Sequence, residues 1–317
     1  MCITTQATDN KEDLDMQIGL IGLGKMGGNM RDRMRKAGHE VVGYDTNQDI
    51  SDSTDLADLV SKLDAPRAIW VMVPAGKVTD KVIDDLSKLM AEGDLVVDGG
   101  NSKFTDDERH AVELSAKGIA FVECGVSGGV WGLEEGYGLM CGGAKDDVER
   151  VMPIFDALRP EGPRDEGFVH AGDVGAGHYV KMVHNGIEYG MMQAYAEGYE
   201  LLAAKEIVTD VPAAFKAWTR GTVVRSWLQE LMASALEKDP GFKNISGFVN
   251  DSGEGRWTVQ EGVEYGVAMP VISASLFARF VSRQEDSPAM QAVSAMRNEF
   301  GGHAVTKKGE KGIVTDH

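Results

Sequence analysis

Between residues 16 and 170 two patterns alternate along the chain. Short apolar runs rich in β-branched residues, MQIGLIG, EVVGYD, RAIWVMVP, DLVVDGG and IAFVEC, are bounded by Gly, Pro or Asp, and segments of helical period fill the intervals. Their alternation with helices predicts a Rossmann-type, doubly wound parallel sheet of the α/β class. After about residue 175 the alternation gives way to helical period alone. One long helix is expected over 177–205 and shorter ones over 211–219, 224–237, 257–268 and 271–284, with a glycine-rich break at 239–255. The expected organisation is an extension over 1–15, an α/β domain over 16–174, an all-helical domain over 175–296 and a polar tail over 297–317.

The long helix carries polar residues in an otherwise apolar stretch, GHYVKMVHNGIEYGMMQ. Lys181, His184, Asn185 and Glu188 are spaced i, i+3, i+4 and i+7, so they share one face. Val180, Val183, Ile187 and Met191 form a neighbouring apolar stripe, which predicts a helix packed into its domain with the polar stripe lining a cleft. A lysine and a glutamate so placed are candidate proton carriers. An ion pair bridging two turns is equally compatible with the spacing.

The first predicted strand runs into Gly22-Leu23-Gly24-Lys25-Met26-Gly27, which opens a helix. A GxGxxG sequence between strand and helix is the signature of a dinucleotide-binding turn. Gly22 makes the turn, Gly24 admits a pyrophosphate to the backbone and Gly27 lets helix and strand pack closely. Asp45 ends the next strand, where its carboxylate can accept both hydroxyls of an adenosine ribose and would repel a 2′-phosphate. Thr46, Asn47 and Gln48 supply no compensating cation, so NAD is the expected cofactor. A plain turn is the competing reading of Asp45. In open parallel sheets, ligands gather beyond the carboxyl ends of the strands. There the sequence places Val73, Pro74 and Ala75, then Asn101 after Gly99 and Gly100, then Ser127, Gly128 and Gly129. Small residues at these points would let a nicotinamide and a substrate approach the backbone.

Charge narrows the choice of partners. The chain has 317 residues with 50 acidic against 32 basic, a net charge of −18 spread along its length. This disfavours nucleic acid and resembles surfaces adapted to a high-salt, halophilic cytoplasm, where ions screen the self-repulsion. No run of about 18 apolar residues predicts a membrane span, and residues 1–15 lack the apolar core of a signal peptide. Cys2, Cys124 and Cys141 have no paired metal spacing and the histidines form no HxxxH pair, so a cytoplasmic protein without a metal is expected.

The motifs GLGKMG, DGGNS, VSGG and GAGHYVKMVHNGIEYG together resemble decarboxylating 6-phosphogluconate dehydrogenase, in particular its shorter NAD-using form, across residues 16–303. The resemblance implies oxidation of 6-phosphogluconate to ribulose 5-phosphate and CO2 in the oxidative pentose phosphate pathway. By the same resemblance Lys181 matches the catalytic base and Glu188 the catalytic acid. Asn101, Ser127, Gly128, Gly129, His184 and Asn185 match positions that hold the sugar acid, and Tyr189 and Arg279 match phosphate positions. Arg297 and His303 match C-terminal residues that enter the neighbouring subunit's site, implying a homodimer or higher homo-oligomer. Longer members carry a lysine before a loop that here reads SGFVNDSGEGRWT, without that lysine, and Arg256 is the local candidate to replace it. Two alternatives stand beside this reading. Another β-hydroxyacid dehydrogenase would lack the phosphate set of Tyr189, Arg279, Arg297 and His303, and a non-catalytic nucleotide sensor would not need Lys181 and Glu188.

Overall fold

A computed structural model describes residues 15–307 of the chain. Its strands are β1 (Gln17–Ile21), β2 (Glu40–Tyr44), β3 (Ala68–Val71), β4 (Leu95–Asp98), β5 (Ala120–Ser127), β6 (Gly138–Gly143) and β7 (Phe168–Gly172). The first helices are α1 (Lys25–Lys36), α2 (Leu56–Ser61), α3 (Lys77–Leu89), α4 (Phe104–Ser115), α5 (Gly132–Glu135), α6 (Lys145–Arg150) and α7 (Met152–Leu158). There follow α8 (Ala176–Ala203), α9 (Val211–Ala217), α10 (Trp227–Lys238), α11 (Glu254–Glu264), α12 (Pro270–Val281) and α13 (Pro288–Gly301).

The seven strands form one sheet in the order β2-β1-β3-β4-β5-β6-β7. The first five are parallel, as the alternation of strands with helices predicts, and the sheet is covered on both faces. Ile18, Leu20, Trp70 and Val97 point into one core, while Ile21, Ile69, Val71 and Val96 point into the other. The sheet is not wholly parallel, however. Strand β6 runs antiparallel to β5, and β7 lies parallel to β6. Neither strand stands out in the sequence, because GLMCGG is half glycine and FVHAG is a short edge strand. Cys124 and Cys141 face each other across the β5–β6 pair, both fully buried and unbonded; Cys2 lies outside the described residues.

The chain divides into two compact units between Asn185 and Gly186, inside α8 and not at the expected boundary of 174/175. In the second unit Phe215, Ala233 and Leu236 make a small core with Tyr195, Tyr199, Trp218 and Phe242 around it. Side-chain caps set the helix starts. Ser226 accepts the Gln229 N–H and begins α10 at 227, three residues later than the apolar pattern suggests, and Asp210 caps α9 in the same way.

Two further expectations are corrected. Residues 288–301 form a capped helix, α13, so Arg297 lies in regular structure and the tail drawn from 297 begins inside a helix. The apolar stripe of α8 is also not its buried side. Val180 and Ile187 are 40% and 51% exposed, whereas Gly177, His178, Lys181, Met182, Gly186 and Tyr189 are buried. Small residues bring that side of the helix to backbone distance from its neighbours, and packing distance outweighs side-chain hydrophobicity. Among the described residues, no helix is long and apolar enough to cross a membrane.

Candidate active site

Strand β1 ends at Gly22, whose φ of +91° suits only glycine, and a Cβ there would strike the Met72 carbonyl. A Cβ on Gly27 would strike the Gly22 carbonyl oxygen. The turn is therefore held tight, and helix α1 opens directly from it with Gly24 at its N-cap facing open space. Free amides at a helix N-terminus form an anion site. Asp45, just after β2, accepts the Leu23 N–H at 2.7 Å on one carboxylate oxygen and the Asn47 N–H at 2.8 Å on the other. Its carboxylate thus braces the glycine turn while keeping further lone pairs for a ligand.

These residues line a cavity of about 520 Å³ together with Lys25, Met26, Val73, Pro74, Gly100 and Asn101. Two expected cofactor residues are absent from its wall. The Leu23 side chain is buried in the core and offers the turn its amide only, while Ala75 lies in the exposed turn after Pro74.

At the cavity edge, the Asn101 side-chain oxygen accepts a hydrogen bond from the Lys181 side-chain nitrogen of α8. The lysine is 6% exposed. It lies over Gly125 of β5, where a Cβ would overlap the lysine's own Cβ. Ser127 is two residues further along β5 and so faces the same side of the sheet. Gly128 and Gly129 follow it with φ of +131° and +54°, turning the chain into a short 3-10 turn. His184 is exposed and pairs through Nδ1 with the Asn185 side-chain oxygen at 3.0 Å, and Glu188 is half-buried.

Several residues around Lys181 have no role assigned from the sequence. Asp98, at the end of β4, accepts the Gly100 N–H at 2.9 Å and the Ser102 hydroxyl at 2.7 Å. His178, one helical turn before Lys181, is buried against Asp107 of α4, with Nδ1 2.7 Å from the Asp107 carboxylate and Nε2 3.2 Å from the Gly100 carbonyl. Glu123 of β5 accepts the amides of Gly175, Gly177 and His178 at the start of α8. Burial alone would lower the His178 pKa, but the Asp107 and Glu123 carboxylates outweigh it and raise it to about 10. Burial likewise pushes Asp107 up to about 6 and Glu123 up to about 7. The sequence held one clue, a lone glutamate inside the apolar strand AFVECGVS, since a buried charge requires a partner.

The second unit gathers the expected phosphate residues. The Arg279 guanidinium lies 3.5 Å from the Tyr189 ring centroid and donates to the Asn250 carbonyl at 2.9 Å. The Tyr189 hydroxyl accepts the Ser252 N–H at 2.9 Å. Arg256 is committed to Asp251 by a two-pronged contact at 2.6 and 3.1 Å, and Arg283 joins the same carboxylate at 2.9 Å. Hydrogen bonds from Arg256 and then Arg283 hold Asp251 down at about 2. Arg297 and His303 are exposed.

Two family models match the chain: the NAD binding domain of 6-phosphogluconate dehydrogenase over residues 17–160, and the 6-phosphogluconate dehydrogenase C-terminal domain over residues 177–316. The chain is 43% identical over 303 residues to an NAD(+)-dependent, decarboxylating 6-phosphogluconate dehydrogenase of Haloferax volcanii, covering 92% of this chain and 99% of that one. A protein of the same description from Bacillus subtilis is 37% identical over 300 residues, covering 88% of this chain and 64% of its own longer length. Among solved structures, Plasmodium falciparum 6-phosphogluconate dehydrogenase superposes with a TM-score of 0.77 at 28% identity, over 93% of this chain and 67% of that one.

Proposed function

Because this chain belongs to the 6-phosphogluconate dehydrogenase family, we propose that it converts 6-phosphogluconate and NAD to ribulose 5-phosphate, CO2 and NADH. The observation that carries this reading is the double role of Asn101. It is a wall residue of the dinucleotide cavity and the hydrogen-bond partner of Lys181, so a substrate hydroxyl held by the lysine would lie beside the nicotinamide end of that cavity.

Bound NAD supplies the hydride acceptor. Neutral Lys181 removes the proton from the carbon-3 hydroxyl as the hydride leaves carbon 3, giving a β-keto acid that loses CO2. The lysine then returns its proton to the developing enolate oxygen. Glu188 protonates carbon 1 of the resulting enediol, giving the ketose. Asn101, Ser127, Gly128, Gly129, His184 and Asn185 hold the sugar acid's carboxylate and hydroxyls. Tyr189 and Arg279 hold its phosphate, and the nearby arginines Arg256 and Arg283 add positive charge although both contact Asp251. Asp45 favours NAD over NADP, because a 2′-phosphate would meet its carboxylate with no cation among residues 46–48. Arg297 and His303 complete the site of a neighbouring copy in a homo-oligomer. A cytoplasmic place in the oxidative pentose phosphate route accords with this chemistry.

The test is NADH formation from a panel of sugar acids with and without a 6-phosphate, each with NAD and with NADP. Turnover is expected with 6-phosphogluconate and NAD foremost. A higher kcat/KM for an unphosphorylated acid would reject the substrate, and an equal or higher kcat/KM with NADP would reject the cofactor preference.

A further inference from the structure

Gly100, the residue that precedes Asn101, is held at both its N–H and its carbonyl. Asp98 takes the Gly100 N–H at 2.9 Å, and the His178 ring meets the Gly100 carbonyl at 3.2 Å. A carbonyl only accepts, so Nε2 of His178 carries a proton and donates it. Asp107 fixes the other ring nitrogen at 2.7 Å, which sets the ring's orientation. His178 also lies in the first turn of the helix that carries Lys181, three residues later on the same face. The start of that helix is anchored separately, by the three amides that Glu123 accepts. Asn101 and α8 therefore meet at two points one helical turn apart: His178 on the Gly100 carbonyl, and Lys181 on the Asn101 side chain.

We propose that His178 is a positioning residue for the reaction, clamping the Gly100–Asn101 peptide to α8 so that the Asn101 side chain and Lys181 keep one geometry. This rests on the proposed role of Lys181 as the base. Neither His178 nor its carboxylate partners need touch the substrate, for they act through the loop and the helix. The three groups are almost wholly buried, at 1% exposure for His178 and 0% for Asp107 and Glu123. Burying three ionisable groups is costly unless each is paired and hydrogen-bonded. An apolar packing would hold two elements together equally well, but it would not fix the direction of one carbonyl. The arrangement serves orientation more than cohesion.

The two carboxamide side chains separate the ring's two contacts. The amide nitrogen of asparagine falls near Nδ1 of histidine and that of glutamine near Nε2. In the full chain, His178→Asn then keeps the Asp107 contact and gives up Gly100, whereas His178→Gln keeps the Gly100 contact. Turnover of 6-phosphogluconate, NAD affinity and melting temperature are measured for both, with the kinetic isotope effect for substrate deuterated at carbon 3. For His178→Asn, kcat is expected to fall roughly 100-fold, the loss typical of a misplaced reacting group, with NAD affinity and melting temperature near parental. Its isotope effect on kcat should rise, because hydride transfer becomes slower relative to product release. His178→Gln should recover most of kcat.

Parental kcat and isotope effect in His178→Asn would overturn the proposal. So would equal impairment of both variants, or a loss that follows lowered melting temperature with an unchanged isotope effect. Failure of both variants to fold would overturn it as well, by assigning His178 to the fold and not to the loop. An inactive parent protein with 6-phosphogluconate counts against the proposed function alone, and the comparison is then made with whichever acid of the panel the parent oxidises.

Discussion

Lys181 lies over a residue that has no side chain. A methyl on Gly125 would occupy the space of the lysine's own Cβ, so the helix or the lysine must shift. Gly125→Ala is therefore expected to lower kcat by roughly 10- to 100-fold while leaving NAD affinity near parental, since the cavity wall does not include residue 125. Steady-state kinetics beside NAD titration checks this, and an alanine variant with full turnover would mean that the lysine's placement is tolerant. The buried cluster around His178 makes a separate prediction about pH. Its raised pKa means that its stabilising contribution is complete below the unfolded value of about 6.5 and is lost as pH rises through about 10. The raised values of Asp107 and Glu123 act in the same direction at lower pH, because the native state holds protons that the unfolded state has released. Melting temperature should fall steadily between pH 7 and pH 10, and the fall should be shallower in a folded His178→Gln variant. At this scale the sequence displayed Lys181, Asn185 and Glu188 through their spacing. It gave no sign of His178 and Asp107 as partners and marked Glu123 only as a lone charge in an apolar strand, because the three come from three elements and share no local period.

Among elements, legibility followed the pairing environment. Strands β1, β3 and β4 are buried almost throughout and read as apolar runs, β5 departs from that only by its one glutamate, and the edge strand β2 still shows apolar valines. Glycine and a polar edge concealed β6 and β7. Helix α13 was hidden for another reason: its apolar residues do not fold back on the chain. Met290, Val293 and Met296 are 60%, 41% and 58% exposed, and Arg297 stands beside them. If this helix completes a neighbour's site, subunits that are each inactive should rescue one another. Mixing a Lys181→Met protein with an Arg297→Ala, His303→Ala protein should restore part of the parental activity after subunit exchange. No recovery after exchange has been verified by mass would sink the crossed arrangement.

For the molecule as a whole, the net charge of −18 sets how it responds to salt. Among the described residues, exposed ion pairs such as Lys88–Asp84 and Lys216–Glu237 relieve little of this charge, because water and salt screen them. Self-repulsion should dominate at low ionic strength and be screened once the Debye length shrinks to about 3 Å near 1 M salt. Melting temperature is expected to rise between 0.05 and 2 M sodium chloride, as read by calorimetry, and a flat or falling curve would show that repulsion is not the main term. Charge was the one whole-molecule property legible from composition alone; the division inside α8 was not, because the helical period runs through it unbroken.

The close seating of α8 on the sheet bears on what laboratory evolution can change. A Cβ at Gly177 would strike the Met140 carbonyl, one at Gly142 would strike the Glu123 carboxylate, and one at Gly125 would strike Lys181. A side chain at any of these three positions thus forces the helix or a neighbouring group beside the proposed base to shift, so libraries built there are expected to trade activity for diversity. Variation in substrate choice is to be sought where the chain is open, in the exposed run from Gly129 to Trp131 and in the loop around Ser252 and Arg256.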